Sequence, residues 1–305
     1  MRDAASLRLT CDLNAYITSY APRVVYTPEQ LESALRSYTE EEKQTLRDVG
    51  WLGDDFECFY VVNRFLNETG AVDRAGDIWL RQVYSEAKRL DAGAFRRDPY
   101  LSRICVPEKR IGRFQLKQVS YLPGEFLQYD MPDLSRPHVT PKLGFFTERV
   151  TFPAVYEGNM PWVSVCPSEV NSMLPDTVPA HGKVLVLGLG LGYYPYILSL
   201  KEDVESIVIV ELQKEIIDLF SAYILPQFEH REKLTVVQAD AFSYLETVRD
   251  GDFDFCYADI WEGEEDGAEA YRRILPHEKR LSGTAFAYWI RDAIQRRAEE
   301  ENGGQ

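Results

Sequence analysis

Basic residues are scarce in this chain relative to acidic ones. The 305 residues include 34 lysines and arginines against 49 aspartates and glutamates, which gives a formal net charge of −15. A field of this sign repels phosphate backbones, and the sequence contains no local basic patch that would reverse it. We therefore expect no nucleic-acid partner, and we expect a neutral or cationic small molecule as the ligand.

Cysteine and histidine are also sparse, and their spacing excludes several kinds of site. The cysteines are odd in number, widely separated and without a CxxC pair, which argues against a disulfide framework and a zinc site and favours a reducing compartment. They are Cys11, Cys58, Cys105, Cys166 and Cys256. The histidines show neither metal-ligand nor triad spacing, so we predict no metal. They are His138, His181, His230 and His277.

Long apolar segments are missing too. The first residues, MRDAASLRLTCDLN, lack the apolar centre of a signal peptide. The uncharged run over residues 184–200 is short and contains three glycines and Pro195, so a buried strand, a turn and a helix explain it better than a membrane span. We expect no membrane contact and a cytoplasmic protein, and the sequence is compatible with a homodimer.

The first part of the chain has the pattern of helices. Thr27-Pro28-Glu29-Gln30 and Thr39-Glu40-Glu41-Glu42 are capping boxes, and Gly50 would end the second of these helices. Apolar residues continue at helical spacing as Phe56, Tyr60, Val61 and Phe65, and again as Ile78, Val83 and Leu90. We predict three or four helices before residue 105.

From about residue 111 the composition changes to that of strands. RFQLKQVSYL, EFLQYDM, RVTFPAVY and PWVSV are rich in aromatic and β-branched residues, and Pro123-Gly124 lies between the first two as a hairpin turn. We predict a small antiparallel sheet up to about Cys166, followed by a short helix opened by Pro167-Ser168-Glu169. The predicted domains are a helical region at 1–110, a β-rich region at 111–180 and a third domain at 181–305.

The third domain alternates strands and helices. KVLVLG, SIVIVE, LTVVQA and FDFCYAD are each followed by a candidate helix, and TAFAYWI precedes the last one. This alternation predicts an α/β fold with a doubly wound, Rossmann-like parallel sheet. Only 43 residues follow Glu262, so either the sheet stops at five strands or the β-rich region supplies an edge.

Polar and glycine residues follow successive predicted strands of this domain. Gly188-Leu189-Gly190-Leu191-Gly192 comes directly after the first strand, where a ligand can approach the backbone. Glu211 ends the second strand, Asp240-Ala241-Phe242 follows the third, and Asp259 ends the fourth. All four features fall on the sheet edge at which open α/β sheets bind ligands.

These motifs, VLVLGLGLG, IVIVE, QADAFSYL and FDFCYADIWEG, resemble those of the class I S-adenosylmethionine-dependent methyltransferases. Within that superfamily the chain is most similar to the spermidine synthase branch, because Val186 stands where most methyltransferases have an acid and because of the string Asp240-Ala241-Phe242-x-Tyr244-Leu245. The resemblance covers roughly residues 183–262 and implies S-adenosylmethionine as the cofactor.

The resemblance implies a role for each motif residue. Gly188, Gly190 and Gly192 would line the methionine and ribose part of the cofactor, Glu211 would bind the ribose, and Asp240, Ala241 and Phe242 would surround the adenine. Tyr193 and Trp261 are further candidates for cofactor contact through their aromatic faces. Asp259 matches the first acid of the aminopropyltransferase D-x-x-D motif and Glu262 stands at its second acid, so both are candidates for substrate binding and Asp259 for catalysis.

The sequence leaves three functions open. A small-molecule methyltransferase acting on an amine or hydroxyl acceptor is the simplest. An aminopropyltransferase using decarboxylated S-adenosylmethionine is supported by Asp259 and Glu262, but Leu191 and Tyr193 replace the acid and glycine that its glycine loop normally carries. A non-catalytic module that binds the cofactor is the third. Nicotinamide binding is disfavoured, because its G-x-G-x-x-G fingerprint would need a small residue at Tyr193.

Overall fold

A computed structural model of the chain describes residues 3–18, 26–52 and 55–303. The chain divides into two compact units. The first comprises Met1–Arg96 and Ser120–Thr151, and the second comprises Arg97–Val119 and Phe152–Gln305. The three-domain division expected from the sequence stays a prediction.

The part before residue 105 is helical. Its helices are α1 (Ala4–Thr18), α2 (Pro28–Ser37), α3 (Glu40–Asp48), α4 (Phe56–Glu68), α5 (Ala71–Arg74), α6 (Asp77–Glu86), α7 (Ala92–Arg96) and α8 (Pro99–Arg103). Both predicted capping boxes form, with the Thr27 and Thr39 hydroxyls accepting from the third residue of α2 and α3. The predicted number of helices is too low, since α5, α7 and α8 are too short to show an apolar period. Helix α1 was missed because its buried face includes the polar residues Ser6 and Thr10.

The core of the first unit centres on α4. Val61, Val62, Phe65 and Leu66 of this helix are fully buried, as the helical spacing of the segment predicts. The Phe65 ring stacks on Phe126, with 4.5 Å between ring centroids.

The strands before residue 165 form two sheets rather than one. These strands are β1 (Lys88–Leu90), β2 (Lys109–Ile111), β3 (Phe114–Tyr121), β4 (Phe126–Asp130), β5 (Lys142–Phe146), β6 (Val150–Glu157) and β7 (Met160–Ser164). One sheet has the order β1-β5-β4 and the other β2-β3-β6-β7. The predicted hairpin at Pro123-Gly124 is wrong, because β3 and β4 belong to different sheets. Gly124 instead exchanges backbone contacts with Tyr26 and Phe146.

The C-terminal part contains the predicted parallel sheet. Helix α9 (Pro167–Thr177) precedes it, and then follow β8 (Gly182–Leu187), α10 (Tyr193–Ser199), β9 (Val204–Glu211), α11 (Lys214–Leu219), β10 (Leu234–Gln238), α12 (Ala241–Thr247), β11 (Phe255–Ala258), α13 (Glu264–Arg280), β12 (Ala285–Tyr288) and α14 (Arg291–Gly303). The strand order is β10-β9-β8-β11-β12, and each neighbouring pair is parallel. The β-rich strands pair in their own sheets, so this sheet has five strands in the described part of the chain.

Alternate residues of the central strands supply two separate cores. Val184, Val186 and Tyr257 pack on one face with residues of α9, α10 and α11. Leu185, Leu187 and Cys256 pack on the other face with residues of α12, α13 and α14. Strands of a parallel sheet that is buried on both faces have continuous apolar sequences. For this reason KVLVLG and SIVIVE predict strands clearly. The fold is therefore Rossmann-like, with helices on both faces and the strand ends left to form a site. In the portion of the chain that is described, no helix combines the length and the apolar character needed to cross a bilayer.

Candidate functional site

The glycine loop after β8 adopts a backbone that only glycine accommodates easily. Gly188, Gly190 and Gly192 have φ angles of +99°, +54° and +75°. A Cβ atom at Gly188 would lie 1.9 Å from the Asp259 carbonyl oxygen, and one at Gly192 would lie 2.4 Å from the Phe220 ring. These glycines thus allow the loop to pack directly against the end of β11 and against the segment after α11.

Glu211 is a buried carboxylate that holds this loop from the neighbouring strand. Its side chain is only 6% exposed at the end of β9. Its Oε2 accepts from the Leu189 amide at 3.1 Å, and its Oε1 accepts from the Gln213 amide at 2.7 Å. Burial raises the pKa of Glu211, and the two amide donors oppose that rise. The sequence-predicted pair of glycine loop and Glu211 therefore lies together in the structure.

Helix α8 supports the same loop from its other side. The Tyr100 hydroxyl, which is buried, donates to the Leu191 carbonyl oxygen at 2.6 Å. The Tyr193 hydroxyl donates to the Asp98 carboxylate at 2.8 Å, and its ring lies 5.6 Å from that of Tyr100. The structure thus places the Tyr193 side chain in the core beside α8. Its predicted cofactor contact stays a prediction.

The three residues after β10 begin helix α12. Asp240 is its N-cap and accepts from the Ser243 amide at 2.9 Å and from the Ser243 hydroxyl at 3.0 Å. Ala241 is buried under the sheet. The guanidinium of Arg273 lies 3.4 Å from the centre of the Phe242 ring, so one face of that ring is already covered. Asp240 is exposed at the sheet edge, as a ligand contact requires, while Phe242 faces α13.

Asp259 follows the last residue of β11 and is partly buried. Its amide donates to Leu187 at 2.8 Å, which fixes its backbone beside the start of the glycine loop. Among the described residues, no donor reaches its carboxylate, and burial raises the pKa of Asp259 to about 7. A carboxyl group with a pKa near neutrality can accept or release a proton under physiological conditions. Of the predicted site residues, Asp259 has the chemistry best suited to catalysis.

Trp261 and Glu262 lie further along the same loop but are placed differently. The Trp261 ring is buried against Gly267 of α13, where an added Cβ would lie 3.1 Å from the indole. Its indole nitrogen has no hydrogen-bond partner within the described ranges. Glu262 has an exposed side chain, and its amide donates to Asp266 at 2.8 Å. The structure therefore gives Trp261 a core position and leaves Glu262 in solvent, while their ligand contacts stay predictions.

Glu169 is a further acid at this edge, and its place in the sequence does not reveal it as a site residue. Glu169 lies in the first turn of α9 and accepts from the Ser164 amide at 2.9 Å and from the Ser164 hydroxyl at 3.1 Å. The pKa of Glu169 is raised to about 8, mainly by burial and in part by the charge of Asp259, while the two hydrogen bonds from Ser164 oppose the rise. An acid directly after a proline-led helix start is typical of a helix cap, so only its tertiary position distinguishes it.

Most of the candidate site residues thus fall into two groups. The glycine loop, Glu211, Asp259 and Glu169 converge on the carboxyl ends of β8, β9 and β11, whereas Tyr193, Phe242 and Trp261 pack into cores. Within the described residues, no group of three or more histidine, cysteine, aspartate or glutamate side chains could hold a metal ion. All five cysteines have free thiols.

Comparison with known proteins gives matches among solved structures. No protein family and no curated protein matches the chain by sequence. Solved structures with some likeness include a spermidine synthase from Thermotoga maritima, with 17% identity, a TM-score of 0.30 and coverage of 40% of this chain and 48% of that one. A precorrin-8W decarboxylase from Methanobacterium thermoautotrophicum has 17% identity, a TM-score of 0.31 and coverage of 40% and 62%. The YcgJ protein from Bacillus subtilis has 21% identity, a TM-score of 0.29 and coverage of 36% and 45%.

The matched region spans about half the length of these proteins. At such TM-scores the likenesses carry no argument about activity. The order and the parallel direction of the five strands identify the Rossmann-like fold.

Proposed function

We propose that this chain is an S-adenosylmethionine-dependent methyltransferase of the class I type that acts on a small molecule with an amine or hydroxyl group. The observation that carries the proposal is the direct connection of the glycine loop to two acids. Glu211 accepts from the Leu189 amide, and Gly188 packs on the backbone of Asp259. A cofactor seated on the loop would therefore lie between a carboxylate suited to ribose hydroxyls and a carboxylate suited to the acceptor.

The loop has unused donors for such a cofactor. Among the described residues, the amides of Gly190 and Leu191 donate to no intramolecular acceptor. Glu211 has spare lone pairs beyond the two amides that it binds, because an ionised carboxylate offers about four acceptor positions. The exposed Asp240 at the next strand end could accept from an adenine amino group. Two free amides, a carboxylate and a further acid fit the carboxylate, ribose and adenine of S-adenosylmethionine.

When bound, S-adenosylmethionine supplies an activated methyl group, so the protein contributes mainly proximity and orientation. Asp259 would orient the acceptor and take its proton at a carboxylate oxygen. Its pKa of about 7 is close to the working pH at which a general base is most effective.

The site argues against the aminopropyltransferase alternative. The position that carries the acid of that family's glycine loop is Leu191, which is 2% exposed. The position of the second acid, Glu262, has an exposed side chain. Leu191 therefore offers no carboxylate to the amino end of decarboxylated S-adenosylmethionine, and Glu262 presents its carboxylate to solvent.

We extend the proposal to the partners. The net charge of −15 suits a neutral or cationic small-molecule acceptor and disfavours nucleic acid. A cytoplasmic location and a homodimer stay predictions.

Incubation with S-adenosylmethionine labelled in its methyl group, together with mixtures of small amines and alcohols, tests the proposed function. We expect label in an acceptor and release of S-adenosylhomocysteine. Asp259→Asn should lower turnover at least about a hundredfold, the lower range for loss of a general base, while leaving S-adenosylhomocysteine affinity within about threefold. Asp203→Asn is the matched control, because the Asp203 side chain is 61% exposed before β9. Binding without label transfer to any acceptor would instead favour a non-catalytic module.

A further inference from the structure

Two acids from distant parts of the chain meet at the candidate site. Gly188 packs on the Asp259 backbone, and Gly190 faces the Val163 side chain, which would lie 3.3 Å from an added Cβ. Ser164, the next residue, donates to Glu169 through both its amide and its hydroxyl. The glycine loop therefore contacts the segments that carry Asp259 and Glu169, and the charge of Asp259 acts on Glu169.

Helix α9 is fixed in place over this edge of the sheet. The Trp289 indole, after β12, donates to the Ser172 hydroxyl at 2.9 Å, and the Tyr194 hydroxyl donates to the Asp176 carbonyl oxygen at 2.8 Å. Ser172 lies one turn after Glu169 on the same helix. The position of Glu169 is therefore set before any ligand binds, which lowers the entropic cost of binding.

A third polar group in this region has no partner. Tyr257 is 1% exposed, and its hydroxyl forms no hydrogen bond within the described part of the chain. Tyr257 lies in β11, two residues before Asp259. The charge of Asp259 contributes to the raised pKa of Tyr257. A buried hydroxyl without a partner destabilises the folded chain, and a ligand donor beside Asp259 would supply that partner.

We propose that Glu169, rather than Glu262, is the second carboxylate of the acceptor site and that Asp259, Glu169 and the Tyr257 hydroxyl together select a cationic amine over an alcohol. This inference rests on the proposed function and names its acceptor class. An ammonium group has three donors and a positive charge, whereas an alcohol has one donor and no charge.

Proton balance distinguishes the two kinds of acceptor. Without a ligand, burial holds the pKa of Asp259 at about 7 and that of Glu169 at about 8, so the pair keeps at least one proton near neutral pH. The groups that face Glu169 are Ser164, the buried Cys166 thiol and Asp259. A bound ammonium favours the ionised forms, so the retained protons leave for solvent as the amine enters. A bound alcohol gives no such release.

Titrations with n-butylamine and 1-butanol, followed by two-dimensional NMR near pH 7 with S-adenosylhomocysteine present, test this inference. We expect the wild-type chain to bind the amine at least tenfold more tightly than the alcohol. Glu169→Gln should reduce amine affinity at least tenfold and Tyr257→Phe about threefold. Glu205→Gln, an exposed acid near the start of β9, is the matched control and should have no effect.

Carbon-13 carboxyl titrations of the ligand-free protein give a second readout. We expect the Glu169 signal to titrate above about pH 6 and to shift to lower pH in Asp259→Asn, because one like charge is removed.

The outcomes separate this inference from the proposed function. A protein that binds S-adenosylhomocysteine but prefers 1-butanol, or that loses amine affinity in Glu262→Gln and not in Glu169→Gln, would overturn the inference alone. Loss of S-adenosylhomocysteine affinity in Glu169→Gln would also overturn it, since Glu169 would then bind the cofactor. Failure of the wild-type chain to bind S-adenosylhomocysteine would overturn the proposed function instead.

Discussion

Replacing Asp259 with asparagine should make the protein more stable near neutral pH while removing the proposed methyltransferase activity. Burial raises the pKa of Asp259 from 3.8 to about 7. A carboxyl group whose pKa is raised by folding favours the folded state most at low pH. Its contribution is fully present below the unfolded pKa and is lost as pH rises through about 7. Asparagine does not ionise, so the stability of the Asp259→Asn protein does not fall in this way as the pH rises.

The size of the effect follows from the shift. Each pKa unit is worth about 1.4 kcal/mol, so the difference in free energy of unfolding between Asp259→Asn and the wild type should grow by at most that amount per pH unit between about pH 4 and 7. The total is roughly 2–4 kcal/mol, because the side chain is only partly buried and solvent screens part of the penalty. Above about pH 7 the difference should remain constant. Any fixed difference in packing between the two side chains does not alter this slope.

Urea unfolding of both proteins at several values between about pH 5.5 and 8.5 measures this difference. The charge of Asp259 also raises the pKa values of Glu169 and Tyr257. Comparing the double variant Asp259→Asn, Glu169→Gln with Glu169→Gln therefore measures the pH dependence that Asp259 contributes when Glu169 cannot ionise. Asp203→Asn should follow the wild type throughout. A difference between Asp259→Asn and the wild type that does not change with pH would contradict this prediction, since Asp259 would then ionise as easily in the folded as in the unfolded chain.

Two further predictions concern the glycine loop and its support. Gly192→Ala should lower the free energy of unfolding by roughly 2–5 kcal/mol, because it adds a Cβ at 2.4 Å from the Phe220 ring to a backbone in the left-handed region. Gly70 is the control, since it has a similar φ but open space around the added Cβ, and Gly70→Ala should lower the free energy of unfolding by only about 1–2 kcal/mol. Equal losses in urea unfolding would contradict the steric argument. Tyr100→Phe should cost about 1–2 kcal/mol and weaken S-adenosylhomocysteine binding in calorimetry, because the buried Leu191 carbonyl oxygen loses its donor. Unchanged stability would show that this bond is not needed.

The parallel sheet could be predicted from the sequence because its signal is local. KVLVLG and SIVIVE are buried on both faces, so their apolar runs are continuous, and the glycines and Glu211 follow them directly. The N-terminal unit was harder to predict. Helix α1 buries Ser6 and Thr10, and the partners of β3 and β4 depend on pairings that no turn motif reveals.

Some residues of the candidate site can be predicted from their local sequence, and others only from the tertiary structure. Glu211 and Asp259 could be found because each ends a strand at the ligand-binding edge. Glu169 could not, since it lies 90 residues before Asp259 and has the local pattern of a helix start. Tyr193 and Trp261 illustrate the reverse. Their positions in the sequence predict aromatic side chains lining the cofactor site, but large rings next to a sheet also fill cores. In the structure the Tyr193 hydroxyl donates a hydrogen bond to Asp98, and the Trp261 ring packs on Gly267.

The most direct test of the account is thermal unfolding of the purified protein with S-adenosylmethionine, S-adenosylhomocysteine, decarboxylated S-adenosylmethionine or NAD added separately. A ligand at about a hundred times its dissociation constant adds about 2.7 kcal/mol to the free energy of unfolding, which is enough to raise the midpoint visibly. We predict stabilisation by S-adenosylmethionine and S-adenosylhomocysteine, and loss of that stabilisation in Glu211→Ala. A larger shift with the decarboxylated form, a shift with NAD alone, or no shift with any of the four would contradict the assignment of the glycine loop and Glu211.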